Sequence, residues 1–235
     1  MAKVIIFSGA GVSAESAIAT FRDNDGLWNK HKIEDICMAG CMQNNRDETI
    51  AFYDKLRIDI KEKKPNNAHA KIKELQDRYK DDIKIITQNV DNMFEKIGCS
   101  DVLHLHGFLT SIYCEECGFK EDIGYKKQRD VYSLCPECKK DMLRPDIVFF
   151  GEMAPMYMNL QQELKECEFL VIIGTSGNVI NTDLFLNKNI KYSILNNLEP
   201  SYSINDKLYS KVLYKKASEA IDEIADDIDK FLKKS

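Results

Sequence analysis

The sequence predicts an α/β fold: a Rossmann-like parallel sheet with helices on both faces, plus a small inserted metal-binding module. Three observations carry this. Short apolar, β-branched runs recur along the chain, several with almost no polar residue, as strands covered on both faces require. Helical patterns alternate with them, the rhythm of βαβ units. Residues 110–145 break that rhythm with a polar, charged stretch that holds two C-x-x-C pairs.

Strand runs are expected at residues 4–7, 83–87, 102–105, 147–150, 169–173, 192–195 and 212–214. Between them, residues 47–61 place Ile50, Tyr53, Leu56, Arg57 and Ile60 on roughly one helical face. Residues 66–79 follow Pro65, a helix-start signal. Residues 217–232 repeat Ala217, Ile221, Ile224, Ile228 and Phe231 at helical spacing and should pack one face on the core. The module at 110–145 is expected to be loop-like, with little core of its own.

With 235 residues, 44% of them hydrophobic, the chain can build one substantial core. A net charge of -5 argues against a nucleic-acid partner. No apolar run approaches the roughly 18 residues of a membrane span. The N-terminal MAKVIIFSG has neither an extended apolar region nor a cleavage site, so it reads as a first core strand, and the protein is expected to be cytoplasmic.

Eight cysteines divide into two sets. Cys37, Cys41, Cys99 and Cys167 are scattered and read as ordinary buried thiols. Cys114, Cys117, Cys135 and Cys138 form the two pairs, 17 residues apart. Four thiolates so spaced close a tetrahedral zinc site with no open position, which makes the metal structural; a redox C-x-x-C is the competing reading.

The main sheet carries the rest of the chemistry. Gly9, Gly11 and Ala14 follow the first strand in the G-x-G-x-x-G/A pattern that cradles phosphate. The pattern alone is weak, and it leads not to a second strand but to the polar TFRDNDGLW. Three more segments sit at strand ends, where open α/β sheets bind ligands. Gln88, Asn89 and Asp91 suit sugar hydroxyls or a carboxamide, or a plain helix cap. His104 and His106 point to one face of a strand, and histidine is the usual general base near neutral pH. Gly174, Thr175 and Ser176 form a small, hydroxyl-rich turn able to contact phosphate or ribose.

In this order the pieces resemble the sirtuin family of NAD-dependent protein deacylases. GAGVSAESAIATFR is similar to the family's G-A-G-x-S-x-x-S-G-I-P-x-F-R, TQNVDN to T-Q-N-I-D-G, RPDIVFFGE to R-P-x-V-V-x-F-G-E and GTSGNV to G-T-S-L-x-V; LHG, the cysteine pairs and NLEP complete the set. The resemblance implies that Gly9, Ala10, Gly11 and Ser13, with Gly174, Thr175 and Ser176, hold the NAD pyrophosphate region. Asn197 and the backbone near Ala217 would meet the adenosine end, and Phe21 and Arg22 would cover the nicotinamide side. Gln88, Asn89 and Asp91 would contact the nicotinamide ribose and carboxamide, with His106 the catalytic base. Val148 and Phe149 would line an acyl-lysine tunnel, and the FGE segment would pair with substrate backbone as an added strand.

The implied reaction consumes NAD, frees a lysine and yields nicotinamide and O-acyl-ADP-ribose. The implied partners are acylated-lysine proteins, with one structural zinc, no nucleic acid, no membrane, and a monomeric state. The implied division is 1–109 and 146–235 for the NAD-binding catalytic domain and 110–145 for the zinc module, with the helical part of the small domain within 25–65. The same pocket with another acceptor would make an ADP-ribosyltransferase or NAD hydrolase; a non-enzymatic reading makes the module a docking unit.

Several residues depart from the family pattern. Ala17 and Ala19 replace a Gly and a Pro, Asn92 replaces a Gly, Gly177 a Leu, and His104 a frequent Glu. A family branch that binds acidic acyl groups uses Tyr-x-x-Arg; here Tyr53 is followed by Leu56 in third place and Arg57 in fourth. Arg57 could substitute imperfectly, since both positions lie near Tyr53 on a helix; the simpler reading is an apolar pocket for acetyl or longer fatty chains.

Overall fold

A computed structural model describes residues 2–18 and 33–233. In chain order its strands are β1 (Val4–Ser8), β2 (Ile83–Thr87), β3 (Leu103–His104), β4 (Gly107–Cys114), β5 (Lys120–Asp122), β6 (Leu143–Ile147), β7 (Phe169–Ile173), β8 (Tyr192–Asn197) and β9 (Lys211–Tyr214). Its helices are α1 (Ile33–Ile36), α2 (Cys41–Asn44), α3 (Arg46–Asp59), α4 (Asn67–Tyr79), α5 (Met93–Lys96), α6 (Gln128–Val131), α7 (Tyr157–Leu164) and α8 (Ala217–Leu232).

Six strands form one parallel sheet in the order β3-β2-β1-β7-β8-β9. Alternation along each strand decides which face a side chain serves. Val4 and Ile6 point into a core with Ala68, Ile72 and Leu75 of α4 and Ala220, Ile221, Ile224 and Ile228 of α8. Ile5 and Phe7 point the other way, onto Leu160 and Leu164 of α7. Both faces are therefore covered, which is why the central strands β1 and β7 read as nearly unbroken apolar runs. Helix α4 starts where Pro65 signals it. The Asn66 side chain accepts from the Ala68 N–H at 2.9 Å, and the Asn66 N–H donates to His69 Nδ1 at 3.3 Å. Such a reciprocal cap is worth about 1 kcal/mol.

The strand order reverses between β1 and β7. In the register of the sheet, Ser8 lies beside Thr87 on one side and Ile173 on the other. The loops after β1, β2 and β7 thus open together at one edge, the place where a doubly wound sheet binds ligands.

Two further layers sit off this sheet. Helices α1–α3 contribute to a third core that also contains Leu109, Ile147 and Phe149. Beyond it, β5-β4-β6 form a three-stranded antiparallel sheet. Here the structure departs from the sequence expectation. The expected strand at 147–150 is absent from the parallel sheet: Ile147 ends β6, and only an isolated bridge between Phe150 and Met38 follows. Of the apolar VFF run, Phe149 is buried against the α1–α3 layer while Phe150 is exposed, which the local pattern could not distinguish from a central strand. The module is also more than a loop. Ile112, Ile123 and Leu143 pack with Cys114 and Cys135 in a small core, edged by Phe119, Tyr132 and Met142. The antiparallel sheet reaches from Gly107 to Ile147.

Candidate active site

The loops after β1 and β7 touch backbone to backbone. Gly9 N–H donates to the Ile173 carbonyl at 3.0 Å and Gly11 N–H to the Gly174 carbonyl at 2.8 Å. A Cβ on Gly9 would lie 2.7 Å from the Gly174 oxygen, and one on Gly11 2.7 Å from the Gly174 Cα. Gly174 itself adopts φ +68, open to glycine at little cost. The three glycines are thus required together by one close approach, and that approach defines the floor of the crevice.

Polar side chains converge above that floor, and most are buried. Ser13, after the first short 3-10 turn, accepts from Asn89 Nδ2 at 3.2 Å, and its Oγ lies 3.5 Å from His69 Nε2. Asn89 N–H donates to Thr87 Oγ1, and Asp91 accepts from the Met93 N–H, so the loop after β2 is fixed by its own caps. Burial pushes the Asp91 carboxyl above its ordinary value, against the N–H from Met93 and the hydroxyl of Ser13. Gln88 spans the crevice: its Nε2 donates to Thr175 Oγ1 at 2.9 Å, while its carbonyl lies 3.1 Å from His106 Nδ1.

His106 follows β3 and faces the same edge. Since a carbonyl only accepts, Nδ1 carries the proton toward Gln88 and Nε2 presents the lone pair. Burial holds the imidazole below its ordinary pKa, opposed by the Gln88 bond, so the ring is neutral at pH 7. His104, two residues earlier, is engaged elsewhere, with Nδ1 on the Asn89 carbonyl and Nε2 on Glu95, both at 2.9 Å. It braces the Asn89 loop.

At the far end of the crevice, Asn197 closes β8 and is buried, its carbonyl accepting from Lys215 N–H at 3.0 Å. Ala217 opens α8 and is also buried. Glu15 ties this helix to the first loop: its carboxylate accepts from Ser218 N–H at 3.0 Å and Ser218 Oγ at 2.6 Å. An acid there also suits the helix dipole. Ser176 lies in the turn beside Thr175, and Ala10 lies in the first turn. Phe21 and Arg22 lie outside the described residues, as does Ala19.

The departures from the family pattern are locally explained. Gly177 has φ +75, and a Cβ there would meet Ile204 at 2.6 Å, so this turn needs its glycine. Asn92 sits at φ -110, where no glycine is required, and donates to Tyr125 Oη at 2.8 Å. Ala17 adopts the left-handed φ 57, which costs an alanine about 1 kcal/mol that a glycine would avoid.

Phe149 packs on the α1–α3 layer, where its ring lies 5.6 Å from that of Tyr53 and Tyr53 Oη lies 3.4 Å from Cys37 Sγ, while Val148 N–H donates to the His106 carbonyl at 2.9 Å. Arg57 is not in this pocket. It is fully buried between α3 and the module, donating from Nε to the Leu109 carbonyl at 2.8 Å and paired with Asp54. Leu56 packs at the edge of the apolar layer. The FGE segment is also more committed than expected. Phe150 pairs with Cys37 and Ala39, and Phe149 N–H donates to Glu152.

The sequence reading missed the ion pairs behind this segment. Arg144, from the RPD stretch, holds both oxygens of Glu152 and stacks over the Phe149 ring at 4.0 Å. Glu115, within the first cysteine knuckle, binds both Arg46 and Arg144. Tyr157 on His106 was missed too, and no local signal marks it.

The four module sulfurs lie within 4.8 Å of one another, with Cys114–Cys138 and Cys117–Cys135 each 3.6 Å apart. Tetrahedral zinc–thiolate bonds of about 2.3 Å set sulfurs about 3.8 Å apart, so the cluster fits zinc.

The chain matches the model of the Sir2 family over residues 9–181. It is 40% identical to an NAD-dependent protein deacylase of Campylobacter jejuni over 99% of this chain and 98% of that protein. It is 36% identical to one of Helicobacter hepaticus over 98% and 99%. Among solved structures, a Sir2 homolog in complex with NAD superposes with a TM-score of 0.84 at 29% identity, covering 97% of this chain and 90% of that one. The glycine-floored crevice at the sheet's switch point, the four-cysteine module and these likenesses agree, and the chain belongs to the Sir2 family.

Proposed function

We infer that this chain is an NAD-dependent protein lysine deacylase that releases nicotinamide, deacylated lysine and O-acyl-ADP-ribose. The observation that carries the reading is the Gln88 bridge. One residue joins the turn after β7 to the imidazole of His106, placing a base beside a nucleotide crevice. NAD supplies the anomeric carbon from which nicotinamide departs. In this reading the two glycine loops hold the pyrophosphate, and Ser13, Asn89 and Asp91 orient the nicotinamide ribose. His106 Nε2 accepts a ribose hydroxyl proton, with Nδ1 fixed by the Gln88 carbonyl. Phe149, Val148 and Tyr53 shield the reacting centre from water. The acidic balance and unpaired cysteines support a cytoplasmic enzyme acting on acylated-lysine proteins.

The acyl group is apolar in this reading, because Leu56, Tyr53 and Phe149 offer no cation and Arg57 is committed elsewhere. Among the described residues, no helix is long and apolar enough to cross a membrane. Incubation with NAD and acetyl-, succinyl- or long-chain acyl-lysine peptides tests the proposal. Nicotinamide release should depend on acetyl- or long-chain peptide and match the lysine freed. Release without peptide would instead indicate a hydrolase, and preference for succinyl would overturn the apolar pocket.

A further inference from the structure

Tyr157, the first residue of α7, places its hydroxyl 3.0 Å from His106 Nε2. The opposite ring nitrogen faces the Gln88 carbonyl, so in the neutral ring Nε2 has one lone pair and the tyrosine O–H must donate to it. No other side chain of the described residues is bonded to the ring. The nitrogen that the deacylation reading needs free is therefore occupied in the ligand-free protein. A single lone pair accepts one hydrogen bond well, so a ribose hydroxyl and Tyr157 cannot share it.

Tyr157 sits at the margin of the core and not within it. It is half-buried and packs with Met156 on the cluster in which Leu160 and Leu164 of α7 are buried, so the helix stays anchored if the tyrosine side chain swings. Its ring centroid stands 6.1 Å from the imidazole at 48°, so no close stacking holds it there. The segment before it is partly open, with Met153 90% exposed and Pro155 exposed, while Met156 packs beside Tyr157. A buried contrast is Tyr209, whose hydroxyl is fixed between Thr182 and Asp183.

We propose that Tyr157 is a positioning residue that caps Nε2 of His106 in the ligand-free enzyme and is displaced by the ribose hydroxyl of NAD. The proposal rests on the reading of His106 as the base. The cap keeps the ring in its Nδ1–H tautomer and keeps water off Nε2 until the cofactor arrives. Its cost is one hydrogen bond broken on binding.

Tyr157→Phe removes only that hydroxyl. In ligand-free protein, the 15N resonance of His106 Nε2 should move toward that of an unbonded imidazole nitrogen, with Nδ1 little changed. NAD should bind roughly two- to tenfold tighter, the equivalent of one net hydrogen bond, and kcat should stay within about threefold of wild type. An unmoved Nε2 resonance, or unchanged NAD affinity, would overturn the cap. A tenfold or greater fall in kcat would also overturn it, because the hydroxyl would then be working in the bound complex. The resonance reports the contact without turnover. Failure of the base reading would show separately, as full activity in His106→Ala.

Discussion

The sheet edge around His106 and the four-cysteine module are held together by different physics. At the edge, a six-stranded sheet whose central strands β1 and β7 are buried throughout carries the loops, and glycine backbones touch across β1 and β7. The module has a three-stranded sheet, five buried residues in its core, and four sulfurs within 4.8 Å. Burying a large aliphatic side chain gives about 1.5–3 kcal/mol, so a core that small cannot order a charged segment alone. A structural metal supplies the difference. The contrast teaches that chemistry sits where the scaffold is over-determined, while the module fixes position from outside through Glu115, Arg144 and Glu152.

The largest expected effect divides the two regions by function. His106→Ala should lower deacylation about 10²–10⁴-fold, the usual span for a general base. Zinc content, fold and NAD binding should survive. Peptide turnover and calorimetry of NAD binding would check this, and activity within tenfold of wild type would refute the role.

Cys135→Ala should do the opposite. The variant should lose zinc and amide-exchange protection over β4–β6, while β1, β2 and β7 stay protected. Full zinc retention would sink the metal assignment. Loss of protection in the central sheet would show that the two regions fold as one.

Acid should probe the sheet edge through His69, which lies beside Ser13. Burial holds its imidazole down to about 4, whereas the unfolded chain binds that proton near 6.5. Between these values the unfolded state holds more protons, so stability falls as pH drops from about 6.5 toward 4. The loss amounts to about 3 kcal/mol. His69→Gln should flatten that slope. Urea titrations of both proteins across this window would compare them, with zinc-linked losses common to both.

The smallest effect sharpens the edge itself. Ala17→Gly relieves the left-handed backbone at φ 57 and should stabilise the protein by about 0.5–1 kcal/mol, after the added flexibility of the unfolded glycine. A lower melting temperature would mean that the alanine side chain contributes packing there.

Much of this was legible along the chain. The nearly all-apolar runs of β1 and β7 marked a two-sided sheet, and the α8 periodicity matched its observed bounds of Ala217–Leu232. The cysteine spacing announced a metal site. The VFF run at 148–150 misled because apolar content alone does not say that only Phe149 is buried, nor in which layer. Tyr53 and Arg57 lie four apart on α3 and read as possible partners. Yet Arg57 turns to Leu109 and Asp54, and only the neighbours across space decide that.

Composition, periodicity and motif order determined by themselves the fold class and the four-cysteine cluster, because each depends on residue type at fixed local spacing. Tertiary structure alone decided that Gly9, Gly11 and Gly174 are required by a single contact, that Arg144 and Glu152 brace Phe149, and that Tyr157 sits on His106. The glycine contact and the Tyr157 bond join residues from about fifty to more than 160 positions apart, and the Arg144–Glu152 pair, though close in sequence, forms only where the chain folds back around Phe149; close packing of the folded chain brings each within reach.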